Sequence, residues 1–208
     1  MIKDKIQHLL FDFGDVLYQI DQTKTLTLFK QYFDNSIKLS SLNLNDFLAI
    51  PFFRDYETGK IDSHQFRNEV RQYLNIQIPD LEFDEIWNAT LIAPFDDIYD
   101  LLKRLKPHYK INLLSNTNEI HFNHFYPECK ECFSLFDNTF FSHKIGYIKP
   151  SPEAFLFVLE QLNTEPENVL FIDDLERNIA GAKQIGLQTF HFDYNKNRKI
   201  LLNFLLSE

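Results

Sequence analysis

The chain is expected to fold as an α/β protein built on a doubly wound parallel sheet of Rossmann-like form, and three observations lead there. Short apolar runs recur along the 208 residues with helical patterns between them. Most of those runs are continuous rather than alternating, as expected of strands covered by helices on both faces. One long stretch, 18–90, breaks the alternation and reads as a helical insert.

Residues 6–11 (IQHLLF) read as the first strand. Further strands are expected at 110–115 (KINLLS), 138–142 (NTFFS), 168–172 (NVLFI) and 188–192 (QTFHF). In 96–106 the apolar residues Ile98, Leu101, Leu102 and Leu105 recur at helical spacing, and Pro107 closes the helix. Pro152 suits the first turn of a helix over 152–162. Gly186 stops one over 174–185, and 197–206 is a last amphipathic helix. Strand alternating with helix predicts the parallel sheet. Within 18–90, helical patterns stand at 23–33 and 63–74, punctuated by Pro51, Glu57-Thr58-Gly59 and Pro79, with no convincing strand. The expected organisation is a core of 1–17 and 91–208 carrying a helical cap, 18–90. No internal repeat or low-complexity tract interrupts it.

Composition narrows the partners. Thirty acids against 21 lysines and arginines give a formal charge of −9. That argues against a nucleic-acid binder and against docking on anionic lipid. A phosphorylated substrate stays compatible, because a metal reverses the sign of a small site. No run approaches the length of a membrane span. MIKDKIQHLLFDF does not read as a signal peptide, and two cysteines without such a signal point to the cytoplasm. Oligomeric state is not legible.

In an open α/β sheet, ligands bind beyond the carboxyl ends of the strands. There stand Asp12, then Ser115-Asn116-Thr117-Asn118, then Lys149-Pro150, then Asp173-Asp174. Each has a bland alternative: a turn cap, a loop, a solvated turn, an N-cap. Together they match phosphoryl transfer. A carboxylate can act as nucleophile, while hydroxyl, amide and ammonium groups hold phosphate oxygens. Clustered acids suit Mg²⁺.

The order FDFGDVL, LLSNTN, GYIKPSPEAF and VLFIDDLERNIAGAKQIG resembles the four motifs of the haloacid dehalogenase superfamily of hydrolases. It looks most similar to the glucose-1-phosphate phosphatase branch. The resemblance implies a Mg²⁺-dependent phosphatase acting on a small phosphorylated metabolite, such as a hexose 1-phosphate, through an aspartyl-phosphate. It implies Asp12 as nucleophile and metal ligand, with the Gly14 carbonyl and Asp174 as further ligands and Asp173 supporting Asp174 in the metal site. Ser115 and Asn116 would bind the phosphoryl group. Lys149 would neutralise both nucleophile and phosphate. Asn178 stands where an acid is often found. Dehalogenation uses no metal or phosphate, and the acidic rim speaks against it.

One departure matters. The family's usual first motif has a second Asp two residues after the nucleophile, and here that position is Gly14. Such an acid/base contributes about 10²–10⁴-fold. Three readings stand open. Asp15 or a cap residue replaces it, the substrate needs less help, or the protein binds phosphate esters without turnover. Phosphoglycomutase activity ranks below these. Gly14 also admits a plainer reading, a positive φ after the strand. The insert is expected to cover the site and select the substrate, with Phe52–Gly59 reading as a helix-to-helix turn in which Arg54 and Glu57 could touch a sugar. His121-x-x-His124 with Cys129-x-x-Cys132 has spacing seen in zinc sites or in redox pairs. Ordinary loop residues are the favoured reading there.

Overall fold

A computed structural model describes residues 5–32 and 49–206. Seven strands are present among them: β1 (His8–Phe11), β2 (Tyr18–Ile20), β3 (Leu91–Pro94), β4 (Lys110–Ser115), β5 (Asn138–Phe141), β6 (Val169–Asp173) and β7 (Gln188–His191). Five of them form one parallel sheet in the order β5-β4-β1-β6-β7, as the sequence pattern predicts. The continuous apolar runs have the expected cause. Leu9, Phe11, Leu113 and Ile172 enter a hydrophobic cluster on one face, while Leu10, Leu114 and Phe171 enter another on the opposite face.

Register sets the ends of the strands. Phe11 pairs with Ile172 across β1 and β6, so Asp12 and Asp173 leave neighbouring strands level with each other. The amide of Asp12 still bonds to the Ile172 carbonyl, at 2.9 Å. On the other side Phe11 pairs with Leu113, which carries Ser115 slightly further along the same rim.

The stretch read as strandless is not quite so. Tyr18–Ile20 pairs antiparallel with Leu91–Pro94. These two strands are three and four residues long and only partly buried, too short to show a period in sequence. Between them lie helices Gln22–Phe29, Pro51–Glu57, Ser63–Leu74 and Asp80–Asn88. The expected helix 23–33 runs as α-helix to Phe29 and as a 3₁₀ turn over Lys30–Tyr32; its last residue lies outside the described residues. Asp21 and Asp62 cap the first turns of two of these helices, accepting from Thr23 N at 3.0 Å and Gln65 N at 2.8 Å. Their apolar faces meet in a third cluster that includes Phe53, Tyr56, Phe66, Phe83 and Trp87.

Two readings of local structure change. Pro51–Glu57, expected as part of a turn, is a helix started by Pro51. The His/Cys stretch, expected as helix then loop, is one helix, Glu119–Phe133, with Pro127 inside it. Ile120, Phe125, Cys129 and Phe133 bury one side of that helix, and tertiary packing offsets the cost of the proline. Among the described residues no helix is long and apolar enough to cross a membrane.

Candidate active site

The carboxyl rim of the sheet gathers the charged residues expected there. Asp12 ends β1 and is followed by a tight turn. The Leu17 and Tyr18 amides both donate to the Phe13 carbonyl, at 2.8 and 2.9 Å, and Asp15 N donates to Tyr18 O at 2.7 Å. These bonds run around Gly14. The left-handed residue of the turn is Asp15, with φ of 52°, and its Oδ1 accepts from Ile20 N at 3.1 Å. Gly14 itself has no positive φ, which overturns the plainer explanation for that glycine. What stands beside it is apolar: a Cβ at position 14 would lie 3.1 Å from the Ile20 Cδ1 atom.

Lys149 is 3% exposed, and its ammonium joins two acids. It donates to Asp12 Oδ1 and, at 2.8 Å, to Asp173 Oδ2. Burial alone would lower this lysine, but Asp12 and Asp173 outweigh it and hold it above its ordinary range. Asp12 is pushed up to about 7, by burial first, against the pull of Lys149 and with added repulsion from Asp173 and Asp174. Asp174 rises to about 6 through burial and the nearby charges of Asp173 and Asp15. Both shifts come first from burial, and then from a rim that holds more negative charge than its lysine neutralises.

One oxygen from each of Asp12, Asp173 and Asp174 lies within 4.8 Å of the others. This donor set is all hard oxygen, which suits Mg²⁺. Asp173 is held by protein donors on both oxygens. Leu175 N and Asn178 Nδ2 reach Oδ1 at 2.8 and 3.0 Å, while Lys149 and Asn178 reach Oδ2. It is therefore built to brace the cluster, and Asp174 is freer to face a cation. Asn178 acts on Asp173, and its own Oδ1 is buried without a hydrogen-bond partner among the described residues.

Ser115 is buried at the end of β4. The Asn116 side chain pairs with the main chain of Lys149, donating to its carbonyl and accepting from its amide, both at 2.8 Å. This clamp fixes the loop that delivers the lysine. It engages both polar atoms of the Asn116 side chain. Thr117 N donates to Ser142 Oγ at 2.9 Å, and Asn118 caps the following helix through His121 N at 3.0 Å.

His121 does stand beside the site, but not as a zinc ligand. Its ring stacks on Trp87 with centroids 5.1 Å apart, its Nε2 lies 3.1 Å from the Trp87 carbonyl, and Nδ1 lies 3.1 Å from Asn118 Nδ2. Cys129 is buried in the core. The cluster of Asp12, Asp173 and Asp174 is the metal-type grouping found among the described residues, and neither histidine nor cysteine joins it. Burial lowers His121 to about 4. The unfolded chain therefore takes up this proton near pH 6.5 and the folded protein only near 4. The His121 contribution to stability should be complete above that window and fall as pH drops through it, by up to roughly 3 kcal/mol, while the raised acids Asp12 and Asp174 pull the other way. Urea titrations of wild type and His121→Gln at pH 7 and 4.5 should isolate it, the wild type losing stability relative to the variant on acidification.

A cavity of about 630 Å³ opens over the acids. It is lined by Asp12, Gly14, Lys149, Asp174, Arg177 and Asn178, and from the helical segment by Gln22, Phe53 and Glu57. A smaller one, about 150 Å³, adjoins it and contains Ser115, Tyr56, Trp87 and His121. Sequence reading did not single out Gln22, Arg177 or Ile20. Arg177 lies three residues past Asp174 at the start of a helix, which is a detectable signal. The other two depend on how the segment docks. That docking is specific: the Tyr56 hydroxyl accepts from Ile120 N at 3.0 Å, and Trp87 Nε1 donates to Asn118 Oδ1 at 3.3 Å. Burial holds Tyr56 up at about 12, so it stays a neutral phenol there. Gly59, in the turn after helix Pro51–Glu57, has φ of 67°, and a Cβ on it would come 2.3 Å from the His143 carbonyl oxygen.

Comparison with known proteins agrees with this geometry. The sequence profile of the haloacid dehalogenase-like hydrolases matches residues 6–186. A D-ribitol-5-phosphate phosphatase of Bacteroides thetaiotaomicron is 27% identical over 95% of this chain and 99% of its own length. A HAD family enzyme of the same organism, crystallised with magnesium and inorganic phosphate, superposes with a TM-score of 0.80 at 29% identity, covering 94% of this chain and 98% of that one. A HAD-like hydrolase of Porphyromonas gingivalis superposes with a TM-score of 0.82 at 27% identity, covering 98% and 99%.

Proposed function

Because this chain belongs to the haloacid dehalogenase-like hydrolase family, we propose that it is a Mg²⁺-dependent phosphatase of small phosphorylated polyols or sugars. The observation that carries the reading is the buried group of Asp12, Asp173 and Asp174, joined by Lys149 at the ligand rim of the sheet. The relative active on D-ribitol 5-phosphate matches along the whole chain and supports the substrate class. So do Gln22, Glu57 and Arg177, which give the cavity polar walls suited to hydroxyl groups. A hexose 1-phosphate is the second candidate. Kinship with phosphatases weighs against a binder without turnover.

In the proposed reaction Asp12 attacks phosphorus and the alcohol leaves, giving an aspartyl-phosphate that water then cleaves. Ser115 Oγ and the Asn116 amide N–H hold the transferring oxygens, and Lys149 neutralises charge on them. Asp12, the Gly14 carbonyl and Asp174 would hold the metal, with Asp173 bracing from behind. Bound Mg²⁺ supplies neutralisation of the charge that develops on the phosphoryl oxygens. Residues 18–90 act as a cap over a core of 1–17 and 91–208, supported by the separate hydrophobic cluster of the inserted helices.

The test is phosphate release from a panel holding ribitol 5-phosphate, ribose 5-phosphate and glucose 1-phosphate. Turnover should vanish with a chelator and return with Mg²⁺. If no ester in the panel is cleaved with Mg²⁺ present, the reading fails.

A further inference from the structure

A primary alkoxide leaves phosphorus slowly unless it is protonated, and water attacks a phospho-enzyme slowly unless a base takes its proton. Position 14 supplies neither, since the Ile20 methyl group stands where a side chain would project. Lys149 is occupied by Asp12 and Asp173. The Asp15 carboxylate is tied to Ile20 N, where it holds the left-handed turn.

One carboxyl group in the cleft has no such duty. Glu57 ends helix Pro51–Glu57. Six residues line both the cavity over Asp12 and the adjoining cavity that holds Ser115: Gly14, Ile20, Gln22, Phe53, Glu57 and Asn116. Of these six, Glu57 alone carries a titratable side chain. It therefore stands where the two cavities meet beside the phosphoryl site. Among the described residues its carboxyl group has no hydrogen-bond or ion-pair partner; Arg177 is its electrostatic neighbour. The other charged groups around it are Lys149, Asp12, Asp15 and Asp174 along the same cavity. His143 and Lys144 belong to the helix packed against its own.

On the phosphatase reading above, we propose that Glu57 is the proton carrier of both half-reactions, a catalytic residue supplied by the helical segment in place of one at position 14. In the first half, the bond from Asp12 Oδ to phosphorus forms and the phosphorus–ester bond breaks. Its electron pair stays on the leaving oxygen, which takes the proton of the Glu57 carboxylic acid. In the second, the Glu57 carboxylate takes a proton from water as that oxygen bonds to phosphorus. The phosphorus–Asp12 bond breaks, its electrons return to the carboxylate, and Glu57 is again protonated. The sum is ester plus water to alcohol plus phosphate. Burial holds Glu57 up at about 7, so both of its forms are populated near neutral pH.

The experiment compares wild type and Glu57→Gln on a polyol phosphate and on 4-nitrophenyl phosphate, whose phenolate leaves without a proton. The variant should lose about 10²–10⁴-fold in kcat on the polyol phosphate. On 4-nitrophenyl phosphate it should release a burst of nitrophenolate equal to the active enzyme and then turn over slowly, because only the second half-reaction still lacks its base. Adding Gly14→Asp to Glu57→Gln, with Ile20→Val to make room, should recover part of the loss. Equal losses on both esters without a burst would mean that Glu57 merely binds or positions substrate, and a loss under about threefold would also overturn the proposal. Wild type lacking Asp12-dependent turnover on either ester would instead overturn the phosphatase reading itself.

Discussion

Asp12→Asn should lower kcat by about 10⁴-fold or more, on the order of 5 kcal/mol of transition-state stabilisation. The amide keeps the shape of the side chain and one oxygen toward the metal site, but it is a poor nucleophile. Binding should outlast turnover. Inorganic phosphate, followed by calorimetry with Mg²⁺ present, should still bind, because Ser115, Asn116 and Lys149 are untouched. Removing the Asp12 charge leaves Lys149 still paired with Asp173 and takes one negative charge from a rim that holds three acids. The variant should therefore fold at least as stably as wild type in the absence of metal. Single-turnover quench of wild type should trap acid-stable phosphate on the protein, and the variant should trap none. Wild-type-like turnover in Asp12→Asn would exclude the proposed mechanism.

Lys149→Met should damage stability and activity together. The lysine is buried between Asp12 and Asp173, and methionine keeps its length without its charge. Removing one partner of a buried ion pair costs about 3–5 kcal/mol, because the remaining charges lose their compensation. Urea unfolding without metal should show a loss of that size at pH 7.5. Carboxylates whose folded-state values are raised favour the protonated form, so the fold loses stability as pH rises through those values and regains it below them. The deficit should accordingly shrink toward pH 5. Mg²⁺ should raise the unfolding midpoint of the variant, by binding the folded state alone. With the metal restored, kcat should still be lower by about 10²–10³-fold, the usual effect of removing one preorganised donor to the developing charge.

Much of the rim was legible from strand periodicity alone. An apolar run that stops on Asp12, Ser115 or Asp173 tells where a parallel strand ends, and parallel strands end together. Lys149 was harder, since seven residues separate it from β5 and no period reaches it. Its place depends on the Asn116 clamp, a contact between two loops. Asn178 stands near the start of helix Glu176–Gln184, which begins only after Asp174, and its bonds go to Asp173. Gly14 shows the limit most clearly. Its absence of a side chain was plain in the sequence, but the Ile20 methyl group that stands 3.1 Å from a Cβ there comes from a short strand that periodicity could not reveal. Glu57 and Arg177 meet over the cleft only because stretches far apart in sequence dock there, through contacts such as Trp87 stacked on His121.

The fastening of the inserted helices bears on how a molecule gets in and out. Gly59 rests on the main chain at His143, and Tyr56 and Trp87 hold the start of helix Glu119–Phe133. The Tyr56 and Trp87 attachments lie on the Ser115 side of the cleft. Away from Ser115 the cavity is bordered by Ala49, Leu175 and Arg177, with Arg177 exposed to solvent. A phosphate ester seated on Asp12 would leave by this side with its tail toward Arg177, and the length and stiffness of that tail would then govern its passage.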